Sequence, residues 1–121
     1  VTFGLRYGLD LLRDCGIHSE RIRLIGGGAK NPLWRQIIAD VMDAPVICTT
    51  HGEAAALGAA IQAAWCHARQ DDPQASLEEI CERCVSLDEE TAVRPDTRAV
   101  AAYEQVYRRY RELVNSLYGQ R

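Results

Sequence analysis

The chain has no apolar run approaching the roughly 20 residues that a transmembrane helix needs, which excludes a helical membrane span within it. It has no basic block either. Its 14 Lys and Arg are scattered and outnumbered by 17 Asp and Glu, giving a net charge of −3, so no nucleic acid is expected as a partner. Internal repeats and low-complexity segments are absent, and 47% hydrophobic with 26% charged residues is an ordinary globular composition. The five cysteines, Cys15, Cys48, Cys66, Cys81 and Cys84, are odd in number and mostly fall where a helix or strand interior is read, which argues against a disulfide scaffold and for a reduced, cytoplasmic setting. Cys81 and Cys84 form C-x-x-C without a second pair at zinc-finger spacing, and His18, His51 and His67 share no common spacing, so no metal ligand is assigned. An initiator Met and a signal sequence are also missing: Val1 already stands in a helical pattern, and the expectation is a fragment of a larger protein.

Leu5, Leu9 and Leu12 recur at helical spacing, and Gly16 is placed to close that helix. Ile22, Leu24 and Ile25 form a run short enough for a buried strand, ending at Gly26, Gly27 and Gly28. Asn31 as N-cap and Pro32 at the first helical position open a second helix with Trp34, Ile37, Ile38 and Val41 on one face, running to about Asp43. The β-branched stretch Val46 to Thr50 predicts a second strand. The Ala-rich stretch after His51 and Gly52 predicts a packing helix, and Ser76 with Glu79 predicts a capping box before a short one. Residues 86–95 read as an irregular connection, and from Asp96 onward Tyr103, Val106, Tyr107, Tyr110, Leu113, Val114 and Leu117 mark a long helix with an aromatic, core-facing stripe. The fold class is therefore α/β, helix-rich, with two parallel strands joined by a right-handed crossover and further strands expected from outside the chain.

A glycine turn between a parallel strand and a helix gathers unshielded N–H groups and the positive end of the helix dipole at one point, which suits a phosphate. The dinucleotide fingerprint fails because its third glycine position holds Asn31 and no acidic residue closes the second strand at Thr49 or Thr50. The P-loop pattern fails because Lys30 follows Ala29 and precedes Asn31. Close packing alone usually asks for one glycine in a turn, so three favour a ligand.

The stretch LIGGGAKNPLWRQIIADVMDAPV, followed about a dozen residues later by EAAALGAAIQAA, resembles the adenosine-motif region of the FGGY carbohydrate kinases, in the superfamily of glycerol kinase, hexokinase and actin. The likeness is good from Leu9 to about Ala64, extends to the Tyr-rich last helix, and carries little signal from Asp71 to Pro95. It implies a ribonuclease-H-like ATPase fold, with residues 1–121 forming the C-terminal portion of the nucleotide-binding domain and the sugar-binding domain lying outside. It further implies ATP and Mg2+ as cofactors, and transfer of the γ-phosphoryl to a sugar, such as the ketopentose D-xylulose or another sugar of the family (gluconate, ribulose, fuculose, glycerol). By the same resemblance Gly26, Gly27, Gly28 and Ala29 lie against the ribose and α-phosphate region, and Asn31 contacts the adenine end. Asn31 stands one residue nearer the glycines than its glycerol kinase counterpart. The catalytic Asp and the sugar contacts fall upstream, so no catalytic residue is assigned and the chain alone is expected to be inactive. A noncatalytic α/β module that binds a protein partner is the other reading, and a homo-oligomer stays open.

Three features are read without a ligand. Gly58 inside a helix predicts a close helix contact. Glu53 is read as favouring the start of that helix through the dipole, and Lys30 and Arg35 as solvated side chains.

Overall fold

The computed structural model describes residues 1–119. Helix α1, Thr2–Asp14, ends at Gly16, whose φ of 84° lets the chain reverse. Ile17 N–H donates to the Leu12 carbonyl at 3.0 Å and Gly16 N–H to that of Arg13 at 2.9 Å. This pair of bonds satisfies carbonyls that the helix end would leave bare.

Strand β1, Ile22–Leu24, passes through Gly26 and a 3-10 turn, Gly27–Lys30, into α2, Pro32–Met42. Asn31 Oδ1 accepts from Leu33 N–H at 3.0 Å and Trp34 N–H at 3.4 Å, so the predicted cap is formed. Strand β2, Val46–Thr49, runs parallel to β1 with Ile22 opposite Val46 and Leu24 opposite Cys48. The buried face of α2 drives this unit together: Ile38, Ala39, Met42, Ala44 and Val46 form the core, with Leu9, Ile22, Leu24, Trp34 and Val93 packed against it.

The two predicted parallel strands are formed, and a third joins them where the sequence read an irregular connection. Strand β3, Leu87–Val93, runs antiparallel to β2 and completes a mixed sheet of order β1-β2-β3. Its acid-rich, bulged sequence hides the usual alternation, and its partner is far away in sequence, which is why residues 86–95 read as irregular.

Helix α3, Ala54–Asp71, packs mainly against α4, Leu77–Cys84. Gly58 is exposed, and a Cβ there would meet nothing within 4 Å, so the predicted close contact is not made. The reason is geometric: Gly58 faces an open apolar groove of about 280 Å³ between α3 and α4, beside Leu57, Ile61 and Cys81. Glu53 makes no side-chain cap bond to α3. The predicted capping box is half formed, because Ser76 Oγ accepts from Glu79 N–H at 3.3 Å while its own hydroxyl turns to Glu78 at 2.9 Å.

Helix α5, Thr97–Tyr118, is capped by Asp96 and lies against α1 and α2. Tyr107 is buried, and Phe3 of α1 sits among the rings of Tyr103, Tyr107 and Tyr110. Val106, Leu113 and Leu117 are exposed, so the core-facing part of the predicted stripe is its aromatic residues Tyr103, Tyr107 and Tyr110. No described helix is long and apolar enough to cross a membrane.

Candidate functional site

The carboxyl ends of β1 and β2 and the start of β3 meet at one end of the sheet, where a cleft of about 330 Å³ opens. Gly26, Ala29, Lys30 and Arg35 line it from the glycine turn and α2, and Leu24, Cys48 and Thr49 from the strand ends. Such a position, beyond the carboxyl ends of parallel strands, is where open α/β sheets bind ligands.

Each glycine of the turn has its own physical reason. Gly26 adopts φ 90° and ψ −178°, a conformation essentially closed to residues with a Cβ. Gly27 has nothing within 4 Å of a built Cβ, and the space beside it is open. Gly28 is different: its Cβ would lie 3.2 Å from Cδ1 and Nε1 of the Trp34 indole. The N–H groups of Ala29 and Asn31 are taken by the carbonyls of Gly26 and Gly28 at 3.1 Å, whereas those of Gly27 and Gly28 find no backbone acceptor outside the turn.

Ala29 anchors the floor through its carbonyl, which accepts from Arg35 Nη1 at 2.8 Å and lies 3.8 Å from Cys48 Sγ. Arg35 is half-buried and not solvated as the sequence suggested; four residues beyond Asn31, it lies one helical turn into α2, and its side chain returns toward the glycine turn. Its Nε is buried and has no partner among the described residues, a donor that the fold leaves unsatisfied. Lys30 also lines the cleft.

Of the five residues singled out from the sequence, the structure brings Gly26 and Ala29 into the cleft wall. Gly27 and Gly28 are exposed in the adjoining turn, and Asn31 is exposed with its Oδ1 committed to capping α2. Thr49, Thr50, Asp88 and Thr91 also line the cleft, and the sequence reading did not assign them to the site. Asp88 and Thr91 reach the site only through long-range pairing of β3 with β2, for which the local sequence has no signal. All five cysteines are free thiols. Among the described residues no group of three or more His, Cys, Asp or Glu is placed to hold a metal ion.

A strand, glycine turn and helix opening on a cleft at the carboxyl ends of a sheet form an α/β unit of the kind that binds ligands in open sheets. Residues 1–67 match the C-terminal domain of the FGGY family of carbohydrate kinases, and the chain belongs to that family. It is similar to the xylulose kinase of Haemophilus influenzae, 48% identical over 118 residues that cover 98% of this chain and 23% of the relative. The ribulokinase of Mycolicibacterium smegmatis is 35% identical over 93% of this chain and 19% of its own length. Among solved structures, the xylulose kinase from Rhodospirillum rubrum superposes with a TM-score of 0.74 at 25% identity, over 98% of this chain and 23% of that one. The chain thus spans about a quarter, 23%, of the length of this Haemophilus influenzae relative.

Proposed function

We propose that the chain is the C-terminal, ATP-binding part of a cytoplasmic sugar kinase that transfers the γ-phosphoryl group of MgATP to a ketopentose, D-xylulose first among them. The observation that carries this reading is the cleft itself, in which a glycine turn with bare backbone meets the positive side chains of Lys30 and Arg35. Cationic side chains beside free backbone N–H groups at a helix start favour an anionic oxygen in the cleft. The xylulose kinase and ribulokinase relatives support a ketopentose as the acceptor.

In this reading Gly26, Gly27, Gly28 and Ala29 lie against the ribose and α-phosphate and Asn31 against the adenine. Capping uses Asn31 Oδ1 and leaves its amide NH₂ to donate. Mg2+ is assigned to the phosphates of the nucleotide and to no residue of this chain. The work of these residues is positioning and electrostatic stabilisation, the main resources of phosphoryl-transfer enzymes.

The cleanest test is Gly27→Val in the parent enzyme, because a side chain there meets open space and not the fold. D-xylulose-dependent ADP formation is expected from the wild type, and the variant is expected to raise KM for ATP about tenfold or more with little change in KM for the sugar. An unchanged KM for ATP would remove the glycine turn from the nucleotide site.

A further inference from the structure

The two sides of the cleft differ in chemistry. Strand order β1-β2-β3 puts the glycine turn, which follows β1, and the start of β3 on opposite sides of β2. Lys30, the only lysine in the chain, and Arg35 supply positive charge on the first side. Asp88 and Thr91 supply the second.

A bulge in β3 sets the position of that second wall. Val46 pairs with Val93 and Cys48 with Asp88, so two steps along β2 are matched by five along β3. The surplus is folded into a hydrogen-bonded loop. Thr91 Oγ1 donates to the Asp88 carbonyl at 2.6 Å and accepts from Cys48 N–H at 2.9 Å, in place of a regular ladder partner. Asp88 Oδ1 accepts from Glu90 N–H at 3.2 Å, and Oδ2 accepts no bond among the described residues. Bulges commonly re-aim a side chain beside a site, and here the re-aimed residue is the sole carboxylate in the cleft lining among the described residues.

An ionised carboxylate only accepts hydrogen bonds, so it welcomes an O–H or N–H donor and repels a phosphate. The cleft is therefore matched to a ligand with anionic oxygens toward Lys30 and Arg35 and donors toward Asp88. We propose that Asp88 is a specificity-determining residue of the nucleotide site, accepting a hydrogen bond from a ribose hydroxyl or base amino group of the bound nucleoside. This rests on the ATP-binding reading above, and Asp88 lies outside residues 1–67 that match the family domain.

The test compares kcat/KM for ATP, 2′-deoxyATP, 3′-deoxyATP and ITP in the wild-type parent enzyme and in Asp88→Asn and Asp88→Ala. The asparagine variant guards against misfolding, because its amide oxygen can still accept from Glu90 N–H while its NH₂ turns the free acceptor into a donor. Its melting temperature is expected to match the wild type. The wild type is expected to favour ATP over one class of analogue, and both variants to lose at least about tenfold of that preference. Loss on the deoxy nucleotides identifies the ribose as the donor, and loss on ITP identifies the base amino group. Ratios among the four nucleotides that stay constant in both variants overturn the proposal while leaving the ATP reading intact. Failure of the wild-type parent to use ATP overturns the reading and the proposal together.

Discussion

Gly26 is held by its backbone and not by its neighbours. Its φ and ψ cost a residue with a Cβ about 1–3 kcal/mol even though nothing lies within 4 Å of the added atom. Gly58 presents the opposite case, with ordinary helical backbone, open space and an exposed face. Gly26→Ala is therefore expected to destabilise by about 1–3 kcal/mol, and Gly58→Ala to stabilise by up to about 1 kcal/mol through helix propensity. Urea denaturation of the two variants checks both, and a Gly26→Ala variant as stable as wild type would mean that the turn relaxes freely. The sequence marked three adjacent glycines as unusual but could not separate their reasons: conformation at Gly26, open space at Gly27, and the indole of Trp34 over Gly28. Local pattern reveals where a side chain is missing; what occupies the space depends on packing.

The same limit operates between elements. Caps and strand-helix-strand order were legible because Asn31, Pro32 and Gly16 act within a few residues of themselves. Strand β3 was not, because its partners lie about forty residues away, as in the bond that Cys48 N–H donates to Thr91 Oγ1. The joint between α1 and α5 is likewise long-range: Arg6 donates to the Val41 carbonyl at 2.9 Å, pairs with Glu104 and lies over the Tyr107 ring at 4.2 Å. Tyr107 donates its hydroxyl to Asp10 Oδ2 at 2.7 Å, and burial, together with this bond and the Asp10 charge, pushes its pKa well above the usual tyrosine value. Because the folded-state pKa exceeds the unfolded one, the resulting stabilisation is complete below about pH 10 and is lost as pH rises toward the folded value. Tyr107→Phe is expected to cost about 1.5–3 kcal/mol at neutral pH, the range for a hydrogen bond to a charged partner. Stability of the wild type should fall above about pH 10 more steeply than that of the variant. Guanidinium melts of both proteins from neutral to strongly alkaline pH measure the difference, and parallel profiles would deny the bond its role.

Across the whole molecule, apolar surface and burial are out of balance. Burial concentrates on α2, β2 and Tyr107, whereas Leu5, Leu11, Leu12, Leu33, Leu113 and Leu117 are each 48% exposed or more. Where such side chains gather into a contiguous patch, they usually mark a partner surface. The chain also spans only 23% of its Haemophilus influenzae relative, so the proposed remainder of a kinase is the natural cover for these faces. The isolated chain is therefore expected to associate as its concentration rises, and sedimentation velocity across a concentration series measures this. A monodisperse monomer throughout would show that these leucines are at ease in water. It is expected, too, to show no sugar-dependent ATP turnover, because the group that deprotonates the attacking hydroxyl is assigned outside these residues. Asp88 makes that expectation sharp, as the one carboxylate that lines the cleft among the described residues. Turnover by the isolated chain that vanished in Asp88→Asn would move the base into this chain and turn a residue assigned to recognition into one that takes the proton.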